Sequence, residues 1–385
     1  MPLQRPSESE NRSNTLELVQ QLGPARLWRT GRLRVIELQG SPRDMGRQHG
    51  QLLQADIKQG MVPRVQQRLH PKGMNFLLRG ALDLGRGWLY NRILKDIPSE
   101  LREEMHGMAE GSGQQFDDVL QASYFSEFAQ LSLSLIGTQY FRRRAQAAGA
   151  CTSAVCLSSP VSESNRQHAP LLHGKNQDYE GAGYWDATPT LIICRPDQGY
   201  AYAKTTSAGI LKGNLSTNEH GISISGHFLF SYKTRKRGQA FTTLENMIMR
   251  RARSLDEALE IIRSTPCLGS FAFVISDSNS NQAVCVEIDG TEVCIRQASG
   301  DTLAMANNYG ASEQQIHNDM LLASCSARNP VARRRRMEHL LEGLNGTTEL
   351  QDVVDCLSDH FDVCSNSSRA LGNVIAQTTT VTSGV

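Results

Sequence analysis

No charge of either sign dominates this chain: across 385 residues, 40 lysines and arginines stand against 39 aspartates and glutamates. The formal charge of +1 gives none of the electrostatic footprint of a DNA- or RNA-binding protein. One basic run, Arg333-Arg334-Arg335-Arg336, sits in an apparent helix from Ala332 to Leu341. It reads as a solvated face or as the source of one site arginine. Nine cysteines occur without a Cys-x-x-Cys, and none joins a histidine at zinc spacing, so no metal is expected. Gly209-Ile210-Leu211-Lys212-Gly213 lacks the Gly-Lys-Ser/Thr ending of a phosphate loop, and Gly85-x-Gly87 lacks the full dinucleotide pattern, so no cofactor is expected. No apolar run approaches the roughly 20 residues of a membrane span. Met1 to Gln20 is too polar for a secretory leader. Free thiols persist in reducing surroundings, which makes the cytoplasm the expected location. No internal repeat or coiled-coil period is evident.

What is present divides the chain in three. Residues 1–22 are rich in Ser, Glu, Asn and Gln and read as a flexible tail. Residues 23–150 read as mainly helical. A strand over Leu33 to Leu38 leads to Ser41-Pro42-Arg43-Asp44, a cap followed by a proline at the first helical position, and a helix toward Ile57. Helices are also expected from Pro98 and Ser99 to Gly111 and Gly113, and from Phe116 to Leu131. The connection Arg142 to Ala150 then passes from polar to small residues. From 151 to 385 strand-like runs dominate: Thr190 to Cys194, Tyr200 to Thr206, Gly221 to Ser225, Phe271 to Ser276, Ala283 to Ile288, and a last one at Thr378 to Thr382. Helices at Thr242 to Arg251, Ser254 to Ser264 and Ala332 to Leu341 interrupt them. This pattern predicts an α/β or α+β body.

The residues with chemical promise begin at Ala150-Cys151-Thr152-Ser153, where small residues precede a cysteine and hydroxyls follow it. A cysteine taken alone is most often an inert core residue. If Cys151 becomes a chain terminus, however, its thiol and its own α-amine form a compact catalytic unit. The amine, with an ordinary pKa of roughly 7.7–8.0, can take the thiol proton. Gly174-Lys175-Asn176-Gln177-Asp178-Tyr179 follows. Asp178 reads as a turn residue or as the group orienting the Cys151 ammonium, and Lys175 would lower the cost of a thiolate. Asn218, before His220-Gly221, reads as a hairpin turn or as an oxyanion donor. Asn307-Asn308-Tyr309 carries the same ambiguity. His173, His220 and His227 are alternatives for a cysteine–histidine pair, and spacing selects none of them. His49, on an early helix, reads as structural or solvent-facing.

This ordered set resembles the acyl-coenzyme A:6-aminopenicillanic acid acyltransferase family, also called peptidase C45 or isopenicillin N acyltransferase-like, among the autoproteolytic N-terminal-nucleophile hydrolases. The resemblance spans roughly Leu33 to Val381. It includes the Glu37-Leu38 opening with Gly40, Gly46 and Gly50, the nucleophile segment Cys151-Thr152-Ser153, Asn176-Gln177-Asp178-Tyr179, Asn218-Glu219-His220-Gly221 and Asn307-Asn308-Tyr309. It implies an α+β, four-layer αββα fold at 151–385. It also implies cleavage between Ala150 and Cys151, with the fragments remaining associated as a heterodimer. Its roles would fall on Cys151 as nucleophile, Asp178 as orienter of the amine, Asn218 as oxyanion donor and Asn307, or else Asn308, as a second amide. A family arginine matches Arg333 by distance to the following helix and Arg328 by the literal Ser-x-x-Arg pattern. Thr152, Ser153, Lys175 and Asn176 would support the site. Lys175 stands where many relatives carry arginine, which keeps the charge and loses the fork geometry. The chain also stops soon after Val381, where relatives carry further strands.

The resemblance implies an acyltransferase or amidohydrolase acting on a linear amide or acyl thioester, through a Cys151 thioester. Its partners would be a small-molecule acyl donor and, for transfer, an amine acceptor. Coenzyme A thioesters fit as donors, though no residue run requires them. The other reading is a noncatalytic binding or scaffold protein that retains the fold.

Overall fold

The computed structural model describes residues 15–69, 75–128, 150–157, 171–178, 185–229, 231, 235, 237–311, 328–344 and 348–385. Within residues 1–22, expected as a tail, Glu17–Leu22 forms strand β1. It pairs antiparallel with β2 (Ala25–Thr30), which pairs in turn with β3 (Leu33–Gly40). The tail expectation fails here because β1 is exposed along almost its whole length. Its order comes from the backbone ladder, so its side chains carry no buried periodicity to read.

Helix α1 (Pro42–Leu52) begins as its sequence dictates, with Ser41 Oγ accepting from the Asp44 N–H and Pro42 in the first turn. It stops at Leu52, and a separate α2 (Gln54–Gln59) follows after Leu53. Helices α3 (Met61–Leu69) and α4 (Phe76–Asp96) fill a stretch for which no element was expected. Helix α5 (Ser99–Ser112) ends at Gly113 in the left-handed region, φ 68°. Helix α6 (Phe116–Ser123) is shorter than the expected span to Leu131, and residues beyond 128 lie outside those described.

The glycines of the opening motif have a packing reason. A Cβ on Gly46 would lie 1.9 Å from the Glu104 carbonyl oxygen, and one on Gly107 would lie 2.0 Å from that of Arg43. Gly50 and Gly111 are similarly blocked by the opposing backbone. Thus α1 and α5 touch main chain to main chain. Gly107→Ala should destabilise the protein by about 3 kcal/mol, the upper end of ordinary overpacking, since a helix must move to admit the methyl group. Denaturant unfolding checks this, and an unchanged midpoint would contradict it.

The remaining strands are β4 (Ala150–Cys156), β5 (Leu172–Asp178), β6 (Pro189–Pro196), β7 (Tyr202–Ser207), β8 (Leu215–Asn218), β9 (Ile222–Phe228), β10 (Phe271–Asp277), β11 (Gln282–Ile288), β12 (Val293–Gln297), β13 (Thr302–Met305), β14 (Phe361–Asp362), β15 (Ser367–Ser368) and β16 (Thr380–Gly384). A ten-stranded sheet runs β1-β2-β3-β6-β7-β8-β9-β10-β11-β12, and a four-stranded sheet runs β13-β4-β5-β16. Helices α7 (Phe241–Arg251) and α8 (Leu255–Ser264) cover β8, β9 and β10 of the large sheet. Helices α9 (Arg328–Glu342) and α10 (Leu350–Leu357) cover β13, β4 and β5 of the small one. The sheets face each other through β4 and β9, β13 and β11, and β16 and β7. This is the expected α+β, αββα layering.

Side-chain alternation produces the layers. Along β10, Phe271, Phe273 and Ile275 join Phe241, Leu244 and Ile248 under the helices. The intervening Ala272 and Val274 meet Val155, Leu303 and Met305 between the sheets. On the far side of the small sheet, Ala154, Cys156 and Leu172 pack with Met337, Leu341, Val353 and Leu357.

The amino-terminal residues share this architecture. Strand β3 pairs in parallel with β6 from Arg34↔Thr190 to Gly40↔Pro196. Leu27, Ile36, Met45, Met105 and Met108 lie in the same core as Phe241, Leu244 and Phe273. Polar ties reinforce it. Glu104 and Arg250 form a buried ion pair that also reaches the Tyr202 hydroxyl. Thr242 N–H donates to Glu127 at 2.9 Å, and Tyr124 and Thr243 hydroxyls are 2.9 Å apart. His49 is structural: it is buried, and its Nε2 accepts from the Gly209 N–H at 3.1 Å. Burial, aided by the charge of Lys204, pushes it down to about 3 and keeps the ring neutral.

Candidate active site around Cys151

The central pair of the small sheet sets the geometry. In the β4–β5 ladder Ala150 lies opposite Asp178, Cys151 opposite Gln177, Thr152 opposite Asn176 and Ser153 opposite Lys175. Alternation turns Ser153 and Val155, and with them Cys151, toward the large sheet. Thr152 and Ala154 turn toward α9 and α10. Cys151 is only 6% exposed. The connection Arg142 to Gly149 lies outside the described residues.

Two side chains distant in sequence converge on the Cys151 backbone. Its N–H donates to Asn307 Oδ1 at 2.6 Å. Arg333 Nη1 donates to the Cys151 carbonyl at 2.6 Å and to Thr152 Oγ1 at 2.7 Å, while Nη2 donates to Asn307 Oδ1 at 3.1 Å. Asn307 Nδ2 donates to the Phe228 carbonyl at 3.0 Å, and Asn329 Oδ1 accepts from Arg333 Nε at 2.5 Å. Arg333 is 1% exposed, so it is the one buried member of its basic run. Arg336 instead pairs with Asp359. Between the open alternatives the structure brings in Arg333, while Arg328 opens α9. It likewise brings in Asn307, while Asn308 Nδ2 donates to the Tyr309 carbonyl. Asn329 was not anticipated; its place four residues before Arg333 on one helix was the available signal.

Asp178 is buried, and its carboxylate accepts from Thr380 Oγ1 at 2.5 Å and from Gln377 Nε2 at 3.2 Å. Burial pushes it up to about 6, against the opposing charges of Arg333 and Lys175. In the intact chain it is Asn307, not Asp178, that receives the Cys151 N–H. Lys175 is buried and donates to the Gly226 carbonyl at 2.5 Å. Burial pushes it down to about 8; Cys151 acts in the other direction. Asn176 is a structural tie, donating to the Leu357 carbonyl at 2.6 Å and accepting from Ser383 Oγ at 2.7 Å. Tyr179 lies outside the described residues.

Asn218 requires a correction. Its Nδ2 donates to the carbonyls of Met249 and Ala252, and its Oδ1 accepts from the N–H groups of His220 and Ile222. Both amide hydrogens are committed to the end of α7, and none of these bonds reaches the Cys151 cluster. The turn reading of this segment is the one that describes it, and no hydrogen remains for an oxyanion. Asn218→Ala should cost roughly 2–3 kcal/mol by stranding buried backbone groups. It should leave the rate of Cys151 alkylation by iodoacetamide unchanged; a large change in that rate at unchanged stability would restore Asn218 to the site.

Among the weighed histidines, His220 stacks edge-on with Tyr200, with ring centres 4.2 Å apart. His173 and His227 are buried between the sheets, joined through the hydroxyls of Ser225 and Ser153. No helix among the described residues is long and apolar enough to cross a membrane.

A protein of Emericella nidulans named acyl-coenzyme A:6-aminopenicillanic-acid-acyltransferase is 24% identical over 334 residues, 82% of this chain and 79% of its own length. Protein dcd1A of Dictyostelium discoideum is 25% identical over 278 residues, 66% of this chain. The matches span only 58% of dcd1A and 44% of an uncharacterized protein of Archaeoglobus fulgidus, so the chain spans about half the length of these two relatives. A solved structure of a Caenorhabditis elegans N-acylethanolamine-hydrolyzing acid amidase ortholog is similar over 54% of this chain and 86% of its own, with 15% identity and a TM-score of 0.40. The family described as acyl-coenzyme A:6-aminopenicillanic acid acyl-transferase matches residues 163–383, a stretch that begins beyond Cys151 and includes Lys175, Asp178, Asn307 and Arg333. With more than half of its length matched, the chain belongs to that family.

Proposed function

We propose that this chain is a cysteine N-terminal-nucleophile enzyme. It cuts itself between Ala150 and Cys151 and then acts as an acyltransferase or amidohydrolase through a Cys151 thioester. The observation that carries this reading is the double clamp on Cys151, with Asn307 on its nitrogen and Arg333 on its carbonyl. Any buried backbone N–H and carbonyl needs a partner, but here side chains supply both, one of them a buried guanidinium. An N-terminal nucleophile needs both, because its new amine must emerge already oriented toward its own thiol. Asn307 Oδ1, which accepts from the peptide N–H, can accept from the ammonium afterwards.

In turnover the Cys151 amine takes the thiol proton and the sulfur attacks the acyl carbon. Amine or thiol leaves with that proton. Water then releases an acid, or an amine acceptor takes the acyl group. The family name supports acyl thioesters, coenzyme A thioesters included, as donors. After cleavage the fragments stay together as a heterodimer, since they share one sheet and one core. The cytoplasm suits the enzyme, whose buried Cys151, Cys156, Cys194, Cys267, Cys285 and Cys356 are free thiols.

The test is intact-mass analysis and terminal sequencing of purified protein, followed by a rapid quench with N-acyl amines and acyl thioesters. Two co-purifying fragments, the larger beginning at Cys151 and carrying the acyl mass there, are expected. A single intact chain that remains unacylated would favour a binding protein that keeps the fold.

A further inference from the structure

Behind Cys151, five side chains from four strands form one polar chain between the sheets. Ser276 Oγ lies 3.0 Å from His173 Nδ1, and His173 Nε2 lies 2.8 Å from Ser225 Oγ. Ser225 Oγ lies 2.8 Å from Ser153 Oγ, which lies 2.8 Å from His227 Nε2. None of the five is more than 5% exposed. The chain ends at His227 Nδ1, which is buried and has no hydrogen-bond partner among the described residues. Ser153, which His227 meets, shares one face of β4 with Cys151, and Asn307 links the Cys151 N–H to the carbonyl of Phe228, the neighbour of His227, so His227 lies beside Cys151. An unpaired buried nitrogen costs about 1–3 kcal/mol and calls for a reason.

Proton counting supplies one. Each neutral imidazole holds one N–H, and each hydroxyl donates once and accepts. The chain can therefore run in two directions. In one, Ser276 donates toward His227, and Nδ1 carries the proton. In the other, His227 donates through Nε2, and Nδ1 presents a bare lone pair beside Cys151.

We propose that His227 carries the Cys151 thiol proton during self-cleavage. This rests on the self-cleavage reading above. Before the cut the Cys151 nitrogen is a peptide nitrogen, so the amine that serves turnover does not yet exist. The thiol proton passes to His227 Nδ1 as sulfur bonds to the Ala150 carbonyl carbon and the π pair moves to oxygen. The oxyanion then collapses, the carbon–nitrogen bond breaks, and the same proton passes to the leaving nitrogen. The products are a thioester and a neutral amine. Water hydrolyses the thioester to the Ala150 carboxylate and the free thiol. Facing His227 are Lys175 and His173 from β5, Arg333 from α9 and Cys151 from β4. Burial first, and then these cations, hold the imidazole well below its ordinary range. It is therefore neutral throughout the physiological range, and its transient charge is offset by the adjacent thiolate.

The test follows conversion of the full chain after cell-free synthesis and a shift to buffers between about pH 6 and pH 9. The wild-type rate should be flat with pH. His227→Gln keeps an amide near Ser153 but carries no basic nitrogen that could take a proton. It should slow cleavage on the order of 100-fold near neutrality, and its rate should rise about tenfold per pH unit as hydroxide takes over. Ser153→Ala should slow cleavage less and retain the flat profile. Thermal unfolding of each variant identifies loss of fold. Slowing of His227→Gln by one factor at every pH would reduce His227 to a structural part and overturn the proposal. So would a wild-type rate rising with a midpoint near 8 that vanishes in Lys175→Gln, which would assign the proton to Lys175. Wild-type chain that stays whole, like Cys151→Ala, would instead defeat the self-cleavage reading itself.

Discussion

Arg333→Met is expected to leave the chain largely uncut and the cut fraction nearly inactive. The guanidinium makes four hydrogen bonds, to Cys151, Thr152, Asn307 and Asn329. Methionine fills similar volume and makes none. Without the fork, Asn307 Oδ1 loses its second donor, and the Cys151 carbonyl and Thr152 hydroxyl lose their buried partner. A misplaced nucleophile of this kind costs on the order of 100-fold or more for about 1 Å. Arg333→Lys should recover little, because an ammonium cannot span these acceptors as a planar fork does. Processing is read by gel and mass, and turnover by rapid-quench acylation of Cys151. Normal processing and acylation in Arg333→Met would remove Arg333 from the site.

Asp178→Asn should have opposite effects on stability and on processing. The folded state holds the Asp178 carboxyl up at about 6, chiefly by burial, against an ordinary value of 3.8. For an acid with a raised pKa, folding binds a proton more readily than unfolding does. Its ionised form therefore destabilises the fold above about 6, and this penalty fades as pH falls toward 3.8. Asparagine resembles the protonated acid, so the variant should be more stable at neutral pH by roughly 2–3 kcal/mol, and the gain should shrink as pH falls through about 6. If the chain cuts itself as proposed, processing should suffer, because Arg333 and Lys175 lose their countercharge next to the Ala150–Cys151 bond. Unfolding curves at acid and neutral pH, run beside a processing gel, test both halves. A variant less stable at neutral pH than at acid pH, relative to wild type, would reverse the sign and refute the account.

Wherever one local rule decided an element, the sequence showed it plainly. Ser41 and Pro42 start α1, Gly113 stops α5, and Ser254 caps α8 by accepting from the Glu257 N–H. The strands β7, β9, β10 and β11 overlap the expected runs and extend one to three residues past them. Elements held by partners distant in sequence were hidden. Strand β1 has no buried face, and β4 and β5 have Ser, Asn, Lys and Asp where apolar residues mark a strand. The same division holds at the site. Four short segments drew attention to Cys151, Asp178, Asn307 and Arg333, yet only tertiary distance separates Asn307 from Asn308 and Arg333 from Arg328. Asn218 shows the converse: an amide in a suggestive motif is wholly occupied with closing a hairpin against the end of α7.

The parallel pairing of β3 with β6 also bears on how the protein is made. Arg34 leaves the ribosome long before Thr190, its partner in the ladder. Until then the nascent chain presents an unpaired strand edge beside apolar Ile36 and Leu38, the kind of surface that invites aggregation. Closing so long a contact is slow compared with helix formation. The glycine-to-glycine seam of α1 and α5 can close much earlier, because both helices emerge ahead of β6. Biosynthesis therefore gives the amino-terminal portion the part of a template: it waits, partly folded, and offers the edge on which the later strands complete the sheet. Separately expressed portions should each need the other present during refolding, and mixing them after each has collapsed should recover less than refolding them together.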